Sequence, residues 1–61
     1  MKRHELLNHL QKSGCQFLRE GKKHSVYFNI RTKKATTVPR HTEISKSLTL
    51  KICRDLGIPY P

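Results

Sequence analysis

Leu6, Leu7 and Leu10 recur at helical spacing in the opening stretch, with Glu5 in the first turn and Lys12 in the last, charges that suit a helix dipole. The pattern predicts an amphipathic helix over residues 2–13, stopped by Gly14, with His4 and His9 on or near its wet side. Cys15 to Glu20 mixes apolar and polar residues over a strand-length run, and Gly21-Lys22-Lys23 then makes a turn. From His24 to Ile30 the alternation is clear. Val26, Phe28 and Ile30 share one face, expected to be the buried one with Phe28 in the core, and Ser25, Tyr27 and Asn29 share the other. Arg31 to Lys34 is a second, basic loop, followed by a short β-branched strand from Ala35 to Val38 that Pro39 ends. Thr42 is expected to cap a second helix, in which Ile44, Leu48, Ile52 and Leu56 repeat every fourth residue with Cys53 alongside. Gly57 followed by Pro59 stops it.

The order helix, three antiparallel strands, helix describes one α+β domain over residues 1–61. A sheet this small is covered by both helices on one face, which leaves its other face in water. A chain of this length buries only about 60% of the surface that its unfolded form exposes. The core is therefore thin, and any ligand is expected on a surface, not in a deep cavity.

Charge narrows the choice of ligand. Thirteen Lys and Arg against four Asp and Glu give a net charge of +9. Self-repulsion of that size weakens folding, so a polyanionic partner is the natural reason to carry it, and nucleic acid fits best because each neutralised phosphate releases counterions. The apolar runs fall far short of the roughly 20 residues that span a bilayer, and no signal-peptide pattern precedes them. No membrane association is expected, and the location expected is cytoplasmic. Cys15 and Cys53 read as reduced, buried thiols. With no Cys-x-x-Cys unit and scattered histidines, neither a metal nor any other cofactor is expected.

Between Arg19 and His41 lie seven basic residues, Arg19, Lys22, Lys23, Arg31, Lys33, Lys34 and Arg40, against the single acid Glu20. They fall mostly in the two loops and at strand ends, so they are expected to gather into one or two phosphate-binding patches. Tyr27, expected on the open face, is the candidate for stacking on a base. The four acids, Glu5, Glu20, Glu43 and Asp55, are spread over separate elements, which argues against two-metal nuclease chemistry. Ser25 and His24 are strand neighbours with opposite orientations, which argues against a serine hydrolase. What remains is a histidine among lysines, and RNA brings its own nucleophile, the 2′-hydroxyl. An imidazole at His24 can take that proton or protonate the leaving oxygen, worth roughly 10² to 10⁴ in rate, while Lys22 and Lys23 stabilise charge building on the phosphate. An RNA-binding module without catalysis, or a basic face serving only an acidic protein, uses the same residues. Strict alternation sets His24 on the same face as Val26 and Phe28. If that face lies beneath the helices, the ring meets RNA only at a corner the helices leave open.

These residues resemble the HicA toxin family, also described as YcfA-like proteins. The similarity runs through the Leu-rich first helix ending in Gly14-Cys15, Arg19, the Gly-turn-His24 unit with Val26-Tyr27, Val38-Pro39-Arg40-His41, and Ile52 to Ile58. The resemblance implies a fold like that of double-stranded-RNA-binding domains (dsRBD-like) and an mRNA interferase activity with His24 as the catalytic residue. It also implies a HicB-type antitoxin as partner. Lys22 and Lys23 stand where the family often has small residues, and Ser47-Leu48-Thr49-Leu50 replaces a frequent Gly-Thr-Leu. His41 matches a recurrent family position, where a cap or hydrogen bond holding the last helix is its expected role. Leu50 lies off the apolar stripe and is a candidate contact for the antitoxin.

Overall fold

The computed structural model describes residues 1–61 and runs α1 (Arg3–Lys12), β1 (Cys15–Glu20), β2 (His24–Asn29), β3 (Lys34–Pro39) and α2 (Lys46–Leu56). The strands form one antiparallel sheet in the order β1-β2-β3, which is what two short connecting turns allow. The expected α-β-β-β-α order and dsRBD-like arrangement hold.

In α1 the Glu5 carboxylate accepts the Lys2 N–H at 3.1 Å, satisfying one of the donors that a helix start leaves open. Leu6 and Leu10 are fully buried, and Leu7 packs against the core from its edge. Gly14, at φ +91°, supplies the left-handed turn into β1.

The second helix begins later than expected. Ser45, not Thr42, caps α2, its hydroxyl accepting the Leu48 N–H at 3.2 Å. Residues 42–44 are instead drawn out alongside the start of the chain: Arg3 N–H donates to the Thr42 carbonyl and Ile44 N–H to the Met1 carbonyl, each at 2.8 Å. That pairing takes the backbone groups a helix would need there, while Ile44 still reaches the core. At the other end Gly57 adopts φ +71°, and the N–H groups of Gly57 and Ile58 return to the carbonyls of Arg54 and Cys53, a Schellman stop.

The core comprises Leu6, Leu10, Cys15, Val38, Ile44, Ile52, Cys53, Leu56 and Ile58. The helices and the segments flanking α2 dominate it; β2 gives it no fully buried apolar side chain. The face that β2 turns inward carries Ser25, Tyr27 and Asn29, the reverse of the expectation from apolar alternation. Ser25 and Asn29 are 2% and 0% exposed, Tyr27 packs on the core, and Phe28 is only half-buried, on the open side. The reason is hydrogen bonding. Ser25 Oγ accepts from Arg3 Nη2 at 3.0 Å and donates to Glu20 at 3.1 Å, while Asn29 Nδ2 donates to the Leu56 carbonyl at 2.8 Å. Buried polar groups with partners are tolerated, and these two tie β2 to both helices.

Candidate nucleic-acid interface

The turn between β1 and β2 is short and tightly closed. Gly21 N–H donates to the His24 carbonyl at 2.8 Å, and a Cβ at position 21 would lie 2.9 Å from that same oxygen, so a side chain there forces the turn open. From the far side comes Arg40, one residue beyond β3. Its Nη2 donates to the Gly21 carbonyl at 2.7 Å and its Nη1 to the Lys22 carbonyl at 3.3 Å, and the guanidinium pairs with the Glu20 carboxylate. Glu20 also takes the Ser25 hydroxyl, and Ser25 in turn is held by Arg3, whose Nε donates to the Pro39 carbonyl at 2.8 Å. The Arg40 hydrogen bond first, and the Ser25 hydroxyl after it, hold the Glu20 carboxyl below the usual carboxylate range.

This network presents His24. The residue is exposed and stands on the same sheet face as Val26, as the alternation requires, but that face is the open one. The conflict that strict alternation raised is therefore removed by the reversal of β2. His24 lines a shallow depression of about 420 Å³ together with Gly21, Lys22, Lys23, Arg19, Val26 and Thr37. Arg19, Val26 and Thr37 are cross-strand partners in one row, so the depression opens directly onto the uncovered sheet. Ser25 is buried on the opposite face, consistent with its exclusion as a nucleophile for His24.

The predicted binding residues divide into groups. Arg19, Lys22 and Lys23 gather around His24. Lys33 and Lys34 lie at the β2–β3 turn, about 17 Å away at the other end of a six-residue strand. Arg40 adjoins the first group, but its guanidinium is occupied by the turn. Tyr27 is on the helix side, edge-on to Phe17 with ring centroids 5.8 Å apart, because its neighbours Val26 and Phe28 are turned outward. His41 is exposed and does not cap α2, a role Ser45 fills. Cys15 and Cys53 are free and buried, and burial pushes both thiols up. The residues that sequence reasoning missed, Arg3, Glu20 and Ser25, act through contacts distant along the chain that no local pattern signals. Gly21 was legible as a turn residue, but not its close approach to His24.

An open three-stranded sheet backed by two helices, with its basic groups displayed at the sheet ends, is a small α+β protein of the dsRBD-like type. A comparison with protein families matches residues 3–58 to the HicA toxin of bacterial toxin-antitoxin systems, and the chain belongs to that family. Membership implies a toxin-antitoxin system and hence an antitoxin partner. Neither the curated proteins nor the solved structures give a match. No helix is long and apolar enough to cross a membrane.

Proposed function

We propose that this chain is a single-domain, metal-independent endoribonuclease toxin that cleaves mRNA in the cytoplasm, with His24 as its catalytic residue. The observation that carries the reading is the exposed imidazole of His24 on the open sheet face, within a depression that Arg19, Lys22 and Lys23 also line. The imidazole takes the proton of a ribose 2′-hydroxyl. The 2′-oxygen attacks the adjacent phosphorus, and the bond to the 5′-oxygen breaks, that oxygen leaving with a proton returned by the imidazolium or by water. The products are a 2′,3′-cyclic phosphate and a 5′-hydroxyl. Arg19, Lys22 and Lys23 bind the phosphates beside the scissile bond and stabilise the charge that builds on it. Lys33 and Lys34 hold phosphates farther along the strand. A HicB-type antitoxin silences the protein by covering the His24 face.

Wild-type and His24→Ala proteins compared on one long mRNA test this. Loss of cleavage in the variant, with the fold and most RNA affinity retained, a cyclic-phosphate product from the wild type, and no effect of EDTA are expected. Full cleavage by purified His24→Ala protein ends the assignment. RNA binding without any His24-dependent cyclic phosphate makes the protein an RNA-binding module instead.

A further inference from the structure

A sheet face left in water ordinarily carries the polar half of the alternation. Here β2 does the opposite, burying Ser25 and Asn29 while turning Val26 and Phe28 outward. A slip of one residue exchanges the two faces of a strand. The chain resists that slip by spending an arginine of α1 and the last carbonyl of α2 on the two buried polar side chains. An apolar strip on the open side, maintained by buried hydrogen bonds, is a surface for a partner.

We propose that this strip is a track for single-stranded RNA, on which Phe28 is the platform for an unpaired base; the proposal rests on the reading of His24 as the RNA-cleaving group. Phe28 is flanked across the strands by Gln16 and Ala35, and Val26 by Arg19 and Thr37. Ala35, exposed and bearing only a methyl group, adds little bulk beside the half-buried Phe28 ring, and the exposed Gln16 offers an amide to a base edge. The row across Phe28, made of Gln16, Phe28 and Ala35, is uncharged. Cations stand at its ends, Arg19 with the His24 turn at one and the Lys33-Lys34 turn at the other, a spacing suited to a strand of a few nucleotides. Charge complementarity selects a polyanion, and the uncharged row across Phe28 selects among polyanions. A duplex offers proteins its phosphates and 2′-hydroxyls with its base faces stacked away, so it gains nothing from Phe28 or Val26. Unpaired bases stack on an aromatic ring whatever their sequence.

The test uses full-length His24→Ala protein, so that the RNA stays intact, with a short unstructured oligoribonucleotide and the same sequence annealed to its complement. The single strand is expected to bind at least tenfold more tightly, shifting the backbone amides of Gln16, Phe28, Ala35 and Thr37 in NMR spectra. Adding Phe28→Leu is expected to weaken it about tenfold, the loss of one base stack, without altering the salt dependence, and Phe28→Trp to retain affinity. Ala35→Glu, at an exposed position, places a negative charge on the track and is expected to abolish binding while leaving the fold intact. Equal affinity for duplex and single strand, wild-type binding by both the Phe28→Leu and Ala35→Glu proteins, or shifts confined to the helix face overturn the proposal. So does a face that ignores RNA and is covered only by an added acidic antitoxin. Binding along the track with no cleavage by wild-type protein sinks the enzyme reading alone; cleavage with normal binding by the track variants sinks the track alone.

Discussion

Arg40 donates to the Gly21 carbonyl at 2.7 Å while the same guanidinium pairs with Glu20, so an arginine beyond β3 closes the turn that presents His24. A planar fork meets several acceptors in fixed geometry, which a lysine ammonium does not reproduce. Arg40 is therefore expected to act by positioning the turn, although its place in a basic run reads as a phosphate contact. The clamp, together with the Gly21 to His24 hydrogen bond, ties down the backbone on either side of the exposed Lys22 and Lys23.

Arg40→Lys is expected to lower the cleavage rate at saturating RNA about tenfold, because a misplaced reacting group is costly, with little change in RNA affinity. A phosphate contact predicts the opposite split: an unchanged rate at saturation, and a salt dependence of binding reduced by about one unit of slope. Single-turnover cleavage and filter binding across a salt series read the two outcomes separately.

The clamp carries a pH signature. Because the Glu20 carboxyl is held below its ordinary range, chiefly by Arg40, the folded state binds that proton less readily than the unfolded one. The interaction therefore contributes fully above the unfolded-state pKa and is lost as pH falls through the folded-state one. The amide signals of Gly21 and Lys22 are expected to hold steady from neutral pH through the usual carboxylate range and to move only below it. In Glu20→Gln that acid-side movement is expected to disappear; its persistence would mean that another group titrates there.

Element order was legible because helical and strand periods, Gly14, Gly21, Gly57 and the prolines are local signals. The facing of β2 was not. Val26 and Phe28 look like core by hydropathy, and only Arg3 and the Leu56 carbonyl, respectively 22 and 27 residues distant, reveal why Ser25 and Asn29 are inside. The late start of α2 has the same kind of cause, since residues 42–44 are claimed by the first residues of the chain. Arg19, Lys22, Lys23 and His24 were legible as one cluster because a single turn carries most of them. That Arg40 serves the turn depends on carbonyl directions no sequence displays.

Gly21→Ala tests the turn without touching a charged group. The added Cβ meets the His24 carbonyl oxygen at 2.9 Å, and that neighbour is backbone, so the turn must open and the Gly21 to His24 hydrogen bond at 2.8 Å must lengthen or break. Cleavage is expected to fall on the order of ten- to a hundredfold, the size of effect that follows displacement of a reacting group by about 1 Å. The helical circular-dichroism signal is expected to stay, since neither helix contacts Gly21 through a hydrogen bond. Unchanged cleavage by this variant would show that the closure of the turn does not position His24.

Asn29 gives the sharpest test of why β2 faces as it does. It is 0% exposed, donates to the Leu56 carbonyl, and accepts the N–H groups of Arg31 at 2.9 Å and Thr32 at 3.4 Å. It thus serves the end of α2 and the β2–β3 turn at once. Thr32 Oγ1 also reaches the Leu56 carbonyl, at 2.9 Å, so that acceptor keeps one partner if Asn29 is lost, whereas the Arg31 N–H does not keep Asn29 Oδ1. Asn29→Ala is expected to destabilise the protein by about 1–3 kcal/mol through loss of its hydrogen bonds to the Leu56 carbonyl and the Arg31 N–H. If β2 were held only by hydrophobic burial, Asn29→Leu would stabilise, adding an apolar side chain at a core position. With hydrogen bonds setting the facing, Asn29→Leu is expected to be no better than Asn29→Ala, and urea-unfolding midpoints at constant slope decide between the two.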